Sequence, residues 1–264
     1  MDSRPIGVFD SGIGGTSIWK EIVKVLPLEN TIYLSDSANA PYGLKSKDAI
    51  KKLCVKNTEE LLQYDVKLIV VACNTATTNA ISYLRERYTL PFIGIEPAIK
   101  PAALHSKTKV IGVLATKGTL SSNLFSKTSE KITDVIKILE VEGNGLVELI
   151  EQDQIYSEEM YSLLNNYLQP LVAAQMDYLV LGCSHYPYLI PVIKMIIPDH
   201  ITIIDSGEAV ARQTKAVLQK ENKINTGLQE VLRKHTFYTN SKPGILKNML
   251  QPLSENLGIY HKVF

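Results

Sequence analysis

The sequence predicts an α/β protein with parallel sheets covered by helices on both faces. Apolar runs of strand length alternate along the chain with segments of helical periodicity. The strand-length runs are continuously apolar, which is typical of parallel strands buried between two layers of helices. The chain has 264 residues, enough for two modest domains or one large one, and it contains no glycine- or serine-rich linker. Any domain boundary is therefore expected to fall within ordinary turns.

The first part of the chain predicts four strands and two helices. The strands are short apolar runs at residues 6–9, 31–34, 67–72 and 92–95. Between them, two segments carry most of their apolar residues on one face, as amphipathic helices do, at residues 16–26 and 47–63.

The same alternation continues through the remainder of the chain. Further strands are predicted at residues 109–114, 135–139, 178–181, 201–204, 236–239 and 259–263. Helices are predicted at residues 157–172, 207–219 and 245–250. Turns at residues 97–101 and 205–207 are the best places for the chain to leave the first domain and return to it. This predicts a first domain of residues 1–97 plus 208–264 and a second domain of residues 98–207.

Composition and charge exclude several classes of protein. The formal net charge is +1 and no basic stripe is present, so nucleic acid is not expected as a partner. No run approaches the roughly 20 apolar residues of a membrane-spanning helix, and no signal peptide is recognisable, so we expect a cytoplasmic protein without a membrane partner. The three cysteines contain no CxxC pair. Neither a disulfide framework nor a thiolate-rich zinc site is therefore expected.

Polar clusters follow several of the predicted strands. In open parallel sheets, binding sites form at the carboxyl ends of strands. Four clusters occupy such positions, and they begin at Asp10, Pro41, Cys73 and Cys183. The last two share one layout, in which an apolar strand is followed by a small residue, a cysteine and then polar residues.

A glycine-rich turn from Asp10 to Gly15 leads from the first strand into a helix. Its backbone N–H groups are suited to hold an anionic group such as a carboxylate. A dinucleotide site is disfavoured because Ser17 stands where the third glycine belongs, although Asp36 lies near the expected position of a ribose-binding acid.

Cys73 and Cys183 are the candidate reactive thiols. Each is expected near a helix N-terminus, where the pKa of a thiol falls below its ordinary value of about 8.5. Unpaired cysteines are often buried core residues, and Cys54 fits that interpretation because it lies mid-helix on an apolar face. His185 is either a hydrogen-bonded structural histidine or a proton acceptor that keeps Cys183 poised.

Two such thiols, without a metal-ligand set or a cofactor motif, suggest proton shuttling. Racemising an amino acid requires removal of the α-hydrogen from one face of Cα and return of a proton to the other face. A two-base site pairs one thiolate with one thiol. A modest shift in the pKa of a thiol makes either protonation state accessible at neutral pH. No lysine lies in a recognisable pyridoxal-phosphate context. We therefore expect neither a cofactor nor a metal.

Five segments, in this order, resemble glutamate racemases of the aspartate/glutamate racemase superfamily. They are VFDSGIGG, APYG, ACNTA, GIEP and GCSHYP, which begin at Val8, Ala40, Ala72, Gly94 and Gly182. The resemblance implies two similar α/β domains related by pseudo-twofold symmetry, with the active site in the cleft between them. It also implies a homodimer. The implied activity is cofactor-independent interconversion of L- and D-glutamate, which supplies D-glutamate for peptidoglycan.

The same resemblance implies roles for individual residues. Cys73 and Cys183 would be the two catalytic bases, assisted by Asp10 and His185, and Glu151 matches a further assisting glutamate. The residues implied to contact substrate are Asp10, Ser11, Tyr42, Gly43, Asn74, Thr75, Thr116, Ser184 and His185.

The chain departs from the family pattern at three places. Ser184 replaces the usual threonine, which keeps the hydroxyl and removes a methyl group. Lys117 stands where proline is common. Residues 141–145, before Glu151, lack the usual Cys-Pro pair, which weakens the assignment of Glu151 and leaves both thiols unaffected.

Three alternative functions remain at this point. An aspartate racemase of the same superfamily is the first, and the segments at residues 10–15 and 41–43 favour the glutamate branch over it. A thiol redox protein is the second, and the absence of a CxxC pair argues against it. The third is a binding protein that kept a two-lobed cleft. The presence of both cysteines argues against it, because binding alone needs neither thiol.

Overall fold

The structure, a computed structural model, describes residues 2–130, 132, 135–227, 234–250 and 257–264. The strands are β1 (Ile6–Asp10), β2 (Thr31–Ser35), β3 (Leu68–Val71), β4 (Phe92–Gly94), β5 (Val110–Ala115), β6 (Lys137–Glu142), β7 (Tyr178–Gly182), β8 (Thr202–Ile204), β9 (His235–Thr239) and β10 (Leu257–His261). The helices are α1 (Thr16–Val25), α2 (Lys47–Leu62), α3 (Asn74–Arg87), α4 (Ile99–His105), α5 (Lys117–Leu120), α6 (Asn123–Glu130), α7 (Leu146–Glu151), α8 (Glu158–Ala173), α9 (Ile190–Ile193), α10 (Gly207–Lys220) and α11 (Gly244–Leu250). Short 3₁₀ turns lie at Ser37–Asn39, Tyr42–Leu44 and Tyr186–Leu189.

The strands form two parallel sheets. The first has the order β10-β9-β2-β1-β3-β4 and the second has the order β6-β5-β7-β8. The chain builds four strands of the first sheet, then the whole second sheet, and returns to add β9 and β10 to the first. The predicted α/β fold, with two domains of largely parallel sheet flanked by helices, is confirmed.

Helices cover both faces of the first sheet. Side chains alternate between the two faces along each strand, so apolar side chains on both faces need a covering layer. On one face, Val8 of β1 packs in the same buried cluster as Ile22 of α1 and Val210 of α10. On the other face, Phe9 of β1 packs in a cluster with Ile50 of α2 and with residues of α3. Each fully buried side chain of this size contributes roughly 1.5–3 kcal/mol to the free energy of unfolding.

The second sheet repeats this arrangement. Leu179 of β7 shares a buried cluster with Leu168 of α8. Its neighbour Val180 faces the other way and packs with Ala102 of α4 and Phe125 of α6. Both sheets are thus enclosed, which explains the continuous apolar runs in the sequence.

Element boundaries lie close to the predicted ones except at β6. That strand begins at Lys137 and ends at Glu142, later in the chain than the predicted run at 135–139. β6 is an edge strand whose side chains are half-buried or exposed, so charged residues are tolerated there and apolar content does not mark its position. The helix expected after Cys73 is α3, and its first turn is built from threonine, asparagine and alanine.

Candidate active site

The carboxyl ends of the central strands of both sheets border one cavity. Asp10 ends β1 and Cys73 follows β3, while Thr116 and Cys183 follow β5 and β7. This cavity is narrow, with room for about one water molecule. It is lined by Ser11, Pro41, Tyr42, Gly43, Cys73, Asn74, Thr75, Thr116, Val147, Cys183, Ser184 and His185. Both candidate thiols therefore face the same space between the two sheets.

Cys73 lies between β3 and α3, where its sulfur caps the first turn of the helix. Cys73 Sγ accepts the Ala76 N–H at 3.4 Å and lies 3.6 Å from Ser11 Oγ. Burial and the nearby Asp10 carboxylate raise the pKa of Cys73 well above its usual value, and the contacts with Ala76 and Ser11 oppose this shift only in part. The sequence-based expectation of a lowered pKa at this helix N-terminus is wrong, because burial outweighs the helix. Cys73 is therefore held as a thiol at neutral pH.

Cys183 follows β7 and lies beside His185. A short 3₁₀ turn, Tyr186–Leu189, follows this strand end instead of the expected α-helix. Cys183 Sγ lies 3.8 Å from His185 Nδ1. Burial lowers the pKa of His185, but its contacts with Cys183 and Glu151 outweigh burial and raise that pKa well above its usual value. This geometry allows His185 to take the proton of the Cys183 thiol.

Glu151, at the end of α7, reaches across to the first domain. Its Oε1 lies 2.6 Å from His185 Nε2 and accepts the Ile13 N–H at 2.7 Å, while Oε2 accepts the Ser37 hydroxyl at 2.9 Å. The Gly14 N–H also lies 3.3 Å from His185 Nε2. One nitrogen cannot donate to Glu151 and accept from Gly14 together, and the shorter contact favours donation to Glu151. The arrangement resembles a catalytic triad, in which a third group orients the base.

Asp10 is fully buried beneath the glycine-rich turn. Its Oδ2 accepts the N–H groups of Gly15 at 2.8 Å and Gly12 at 3.3 Å, and its Oδ1 accepts the Ser184 hydroxyl at 3.2 Å. Burial raises the pKa of Asp10 above its usual value, against the opposing effects of His185 and the Gly15 N–H. The N–H groups of the turn already bind carboxylates of the chain itself. This agrees with the prediction that the N–H groups of the turn are suited to hold a carboxylate.

The glycines of this turn allow the two domains to approach closely. A Cβ atom at Gly12 would lie 1.9 Å from Glu151 Oε1, and one at Gly14 would lie 2.2 Å from His185 Nδ1. Only glycine fits at either position without displacing these side chains.

Asn74, Thr75 and Thr116 place polar groups at the cavity. Both Nδ2 and Oδ1 of Asn74 are buried without a hydrogen-bond partner among the described residues. Thr75 Oγ1 lies 2.7 Å from Thr116 Oγ1, and these hydroxyls lie 3.3 and 3.1 Å from Thr119 Oγ1. An unpartnered buried polar group costs about 1–3 kcal/mol. Asn74 is therefore well placed to bind a polar ligand.

Tyr42 and Gly43 form a further part of the wall, after the cis peptide Ala40–Pro41. The Tyr42 side chain is fully buried. A Cβ atom at Gly43 would lie 2.9 Å from Thr116 Cβ, so the backbone here approaches the second domain closely.

Comparison with known proteins now identifies the family. Residues 6–214 match the profile of Asp/Glu/Hydantoin racemases. The chain belongs to this racemase family. It is 44% identical to the glutamate racemase of Ectopseudomonas mendocina over 86% of each chain.

Two solved racemases have the same architecture over almost their whole length. Glutamate racemase isoform RacE1 of Bacillus anthracis matches with a TM-score of 0.86 and 29% identity, over 100% of this chain and 99% of that one. Escherichia coli glutamate racemase, solved with L-glutamate and the activator UDP-MurNAc-Ala, matches with a TM-score of 0.84 and 32% identity, over 99% and 100%.

Some contacts of this racemase site had no signal in the sequence. Ser37 and the Ile13 N–H bind Glu151 although they are more than a hundred positions away from it in the chain. Val147 lines the cavity as an ordinary apolar helix residue. These contacts depend on how the two domains meet, which no local pattern encodes.

Replacing Cys54 by alanine is expected to leave turnover within about two-fold of wild type, because substitutions that contact no reacting group change rates little. Cys54 is fully buried in the cluster between α2 and the first sheet, and burial raises the pKa of its thiol far above the usual value. Initial rates of racemisation, followed by circular dichroism, test this. A large loss of kcat with an unchanged melting temperature would show that Cys54 has a role in the reaction.

The described part of the chain contains neither a cluster of metal-binding side chains nor a membrane-spanning helix. Among residues 2–130, 132, 135–227, 234–250 and 257–264, no three histidine, cysteine or acidic side chains are grouped to hold a metal ion. Within the same ranges, no helix is both long and apolar enough to cross a membrane.

Proposed function

We propose that this chain is a glutamate racemase that interconverts L- and D-glutamate by two-base proton transfer, with Cys73 and Cys183 as the bases and no cofactor. The observation that carries the proposal is the presence of both thiols on one cavity, with His185 Nδ1 3.8 Å from the sulfur of Cys183. Relatives at 44% and 41% identity are glutamate racemases, which supports glutamate as the substrate.

Proton transfer begins from a Cys183 thiolate and a Cys73 thiol. His185 holds the proton of Cys183, and the Glu151 carboxylate stabilises the resulting imidazolium at 2.6 Å. The thiolate removes the α-proton from one face of Cα while Cys73 delivers its own proton to the other face. After this step Cys183 is a thiol and Cys73 is a thiolate. From this state the opposite enantiomer reacts by the same proton transfers in the reverse direction.

The remaining polar residues of the cavity bind and orient the substrate. Asn74 offers both an amide donor and an acceptor, and its burial without a partner makes it a specific ligand for the substrate. Asp10 assists the Cys73 side of the site as a buried charge close to that thiol. The proposed substrate contacts are Asp10, Ser11, Tyr42, Gly43, Asn74, Thr75, Thr116, Ser184 and His185. A closed, low-dielectric site strengthens these interactions in the transition state.

The proposal extends to the organisation of the protein. Residues 1–97 with 208–264 form the first domain, and residues 98–207 form the second. The chain therefore passes between the domains at Pro97 and again at Gly207. Substrate enters the cavity when the two domains separate. The protein works as a cytoplasmic homodimer and supplies D-glutamate for peptidoglycan.

The deciding experiment incubates L-glutamate with purified, chelator-dialysed protein in deuterated water without added cofactor. We expect optical rotation to decay to zero while deuterium enters Cα, and early label in the product enantiomer alone supports two bases. Because neither thiol needs a metal, dialysis should leave the rate unchanged, and a rate restored only by added metal would refute the cofactor-free mechanism. Reaction of L-aspartate but not L-glutamate would instead favour the aspartate racemase alternative. The absence of α-hydrogen exchange in any amino acid would overturn the proposal.

A further inference from the structure

A buried polar cluster lies behind Tyr42, outside the set of residues assigned to catalysis. Its centre is Asp36, which follows β2 and has no exposed surface. Asn57 of α2 is equally buried, and Asn240 follows β9 in the segment that returns to the first sheet. None of these three side chains lines the cavity, so the cluster requires another explanation.

Three donors converge on the Asp36 carboxylate. The Tyr42 hydroxyl donates to Oδ2 in a short hydrogen bond. The amides of Asn39 and Asn240 donate to Oδ1 at 2.8 and 2.5 Å. Asn57 Nδ2 donates to the Tyr42 hydroxyl oxygen at 3.1 Å. The Tyr42 hydroxyl is therefore held from two sides, which fixes the ring and the backbone that carries it.

The same turn is connected to the catalytic side of the second domain. Ser37, the next residue after Asp36, donates to Glu151 at 2.9 Å, and the Ala38 N–H donates to Asn240 Oδ1 at 2.9 Å. Asp36 thus lies between the Tyr42 wall of the cavity and the segment that meets Glu151.

We propose that Asp36 is a positioning residue that sets the place of the Tyr42–Gly43 wall, and through it the affinity for the substrate. This inference rests on the proposed function, in which that wall contacts glutamate. Asp36 acts through the Tyr42 hydroxyl and touches neither the thiols nor the substrate. Removing the carboxylate leaves the buried Tyr42 hydroxyl and two partly buried amides without their acceptor. This releases the wall, while Cys73, Cys183 and His185 keep their contacts.

The test is the substitution Asp36→Ala, with KM and kcat for glutamate measured separately. We expect KM to rise about ten-fold while kcat stays within about two-fold, since the lost interaction acts on binding rather than on proton transfer. Tyr42→Phe removes the hydroxyl that donates to Asp36 and keeps the aromatic ring. It should therefore raise KM by about as much as Asp36→Ala does. The double variant should be no worse than the worse single variant, because both changes break the same contact.

Glu29→Gln is the matched control for a merely structural role. Glu29 is another buried carboxylate of the first sheet's loops, 2.5 Å from Lys67 Nζ and 2.9 Å from the Asn225 N–H, and it does not line the cavity. The Glu29→Gln substitution should lower the melting temperature without raising KM for glutamate. If Asp36→Ala lowers the melting temperature and leaves KM unchanged, the inference is overturned. If Asp36→Ala does not fold, Tyr42→Phe decides alone, and an unchanged KM in that variant overturns the inference as well.

Gly43→Ala separates this inference from the proposed function. The added Cβ would lie 2.9 Å from Thr116 Cβ, so it disturbs the wall directly. A raised KM in Gly43→Ala with an unchanged KM in Asp36→Ala and Tyr42→Phe would refute the role of Asp36 alone. An unchanged KM in all of these variants would refute the substrate contact at this wall as well.

Discussion

Replacing Cys73 or Cys183 by alanine is expected to lower racemisation by a factor of about 10³ or more in both directions, because each turnover needs one thiolate and one thiol and general acid–base groups typically contribute 10²–10⁴. Both thiols line one cavity and no other thiol does. The change in ellipticity of pure L- or D-glutamate measures the loss. Both cysteines also belong to buried clusters, so melting temperatures are measured alongside, and the loss of activity should far exceed any loss of folded protein.

The two variants should differ in α-hydrogen exchange. Cys73→Ala retains the Cys183–His185 pair, which provides a base, so slow exchange of one enantiomer without inversion can persist. Cys183→Ala retains only Cys73, whose pKa is raised well above its usual value by burial and by Asp10, so exchange should be lost at neutral pH. Cys54→Ala is the matched control for removal of a buried thiol. Full racemase activity in either single variant would refute the two-base mechanism.

The fold and the two thiols were predictable because local patterns encode them. A run such as Leu68–Val71 is buried on both faces and therefore apolar throughout, and the residue after such a strand must lie at the carboxyl edge of the sheet. The positions of Cys73 and Cys183 follow from that rule. β6 was displaced from its predicted position because an edge strand is not required to be apolar.

The electrostatics of the site were not predictable, because they depend on contacts between distant segments. The sequence favoured a lowered pKa for both thiols from helix N-termini. The structure instead raises the pKa of Cys73 through burial. Beside Cys183 it has a short 3₁₀ turn and His185, and only the histidine was a candidate from the sequence. Likewise, the N–H groups of the glycine-rich turn proved to bind Asp10 and Glu151. A glycine pattern indicates a close approach of the backbone, and does not say which group approaches.

Glu151→Gln is expected to lower kcat by about 10²-fold, because it removes the charge that stabilises the His185 imidazolium and so disfavours the Cys183 thiolate. The contacts themselves can survive the substitution. The amide oxygen can still accept from Ile13 and His185, and the amide nitrogen can donate to Ser37, whose own hydroxyl can turn to Ser35 at 3.0 Å. The loss therefore measures charge rather than packing, and circular dichroism assays with saturating glutamate report it.

Ser37→Ala is the control that isolates the contact between the domains. It removes the hydroxyl that donates to Glu151 Oε2 and leaves the 2.6 Å contact between Glu151 and His185 in place. Turnover should stay within about three-fold of wild type, which corresponds to the loss of one exposed or partly buried hydrogen bond. An equal loss of kcat in Ser37→Ala and Glu151→Gln would mean that Glu151 serves to hold the domains together. A loss confined to Glu151→Gln would place its charge in the proton transfer at Cys183.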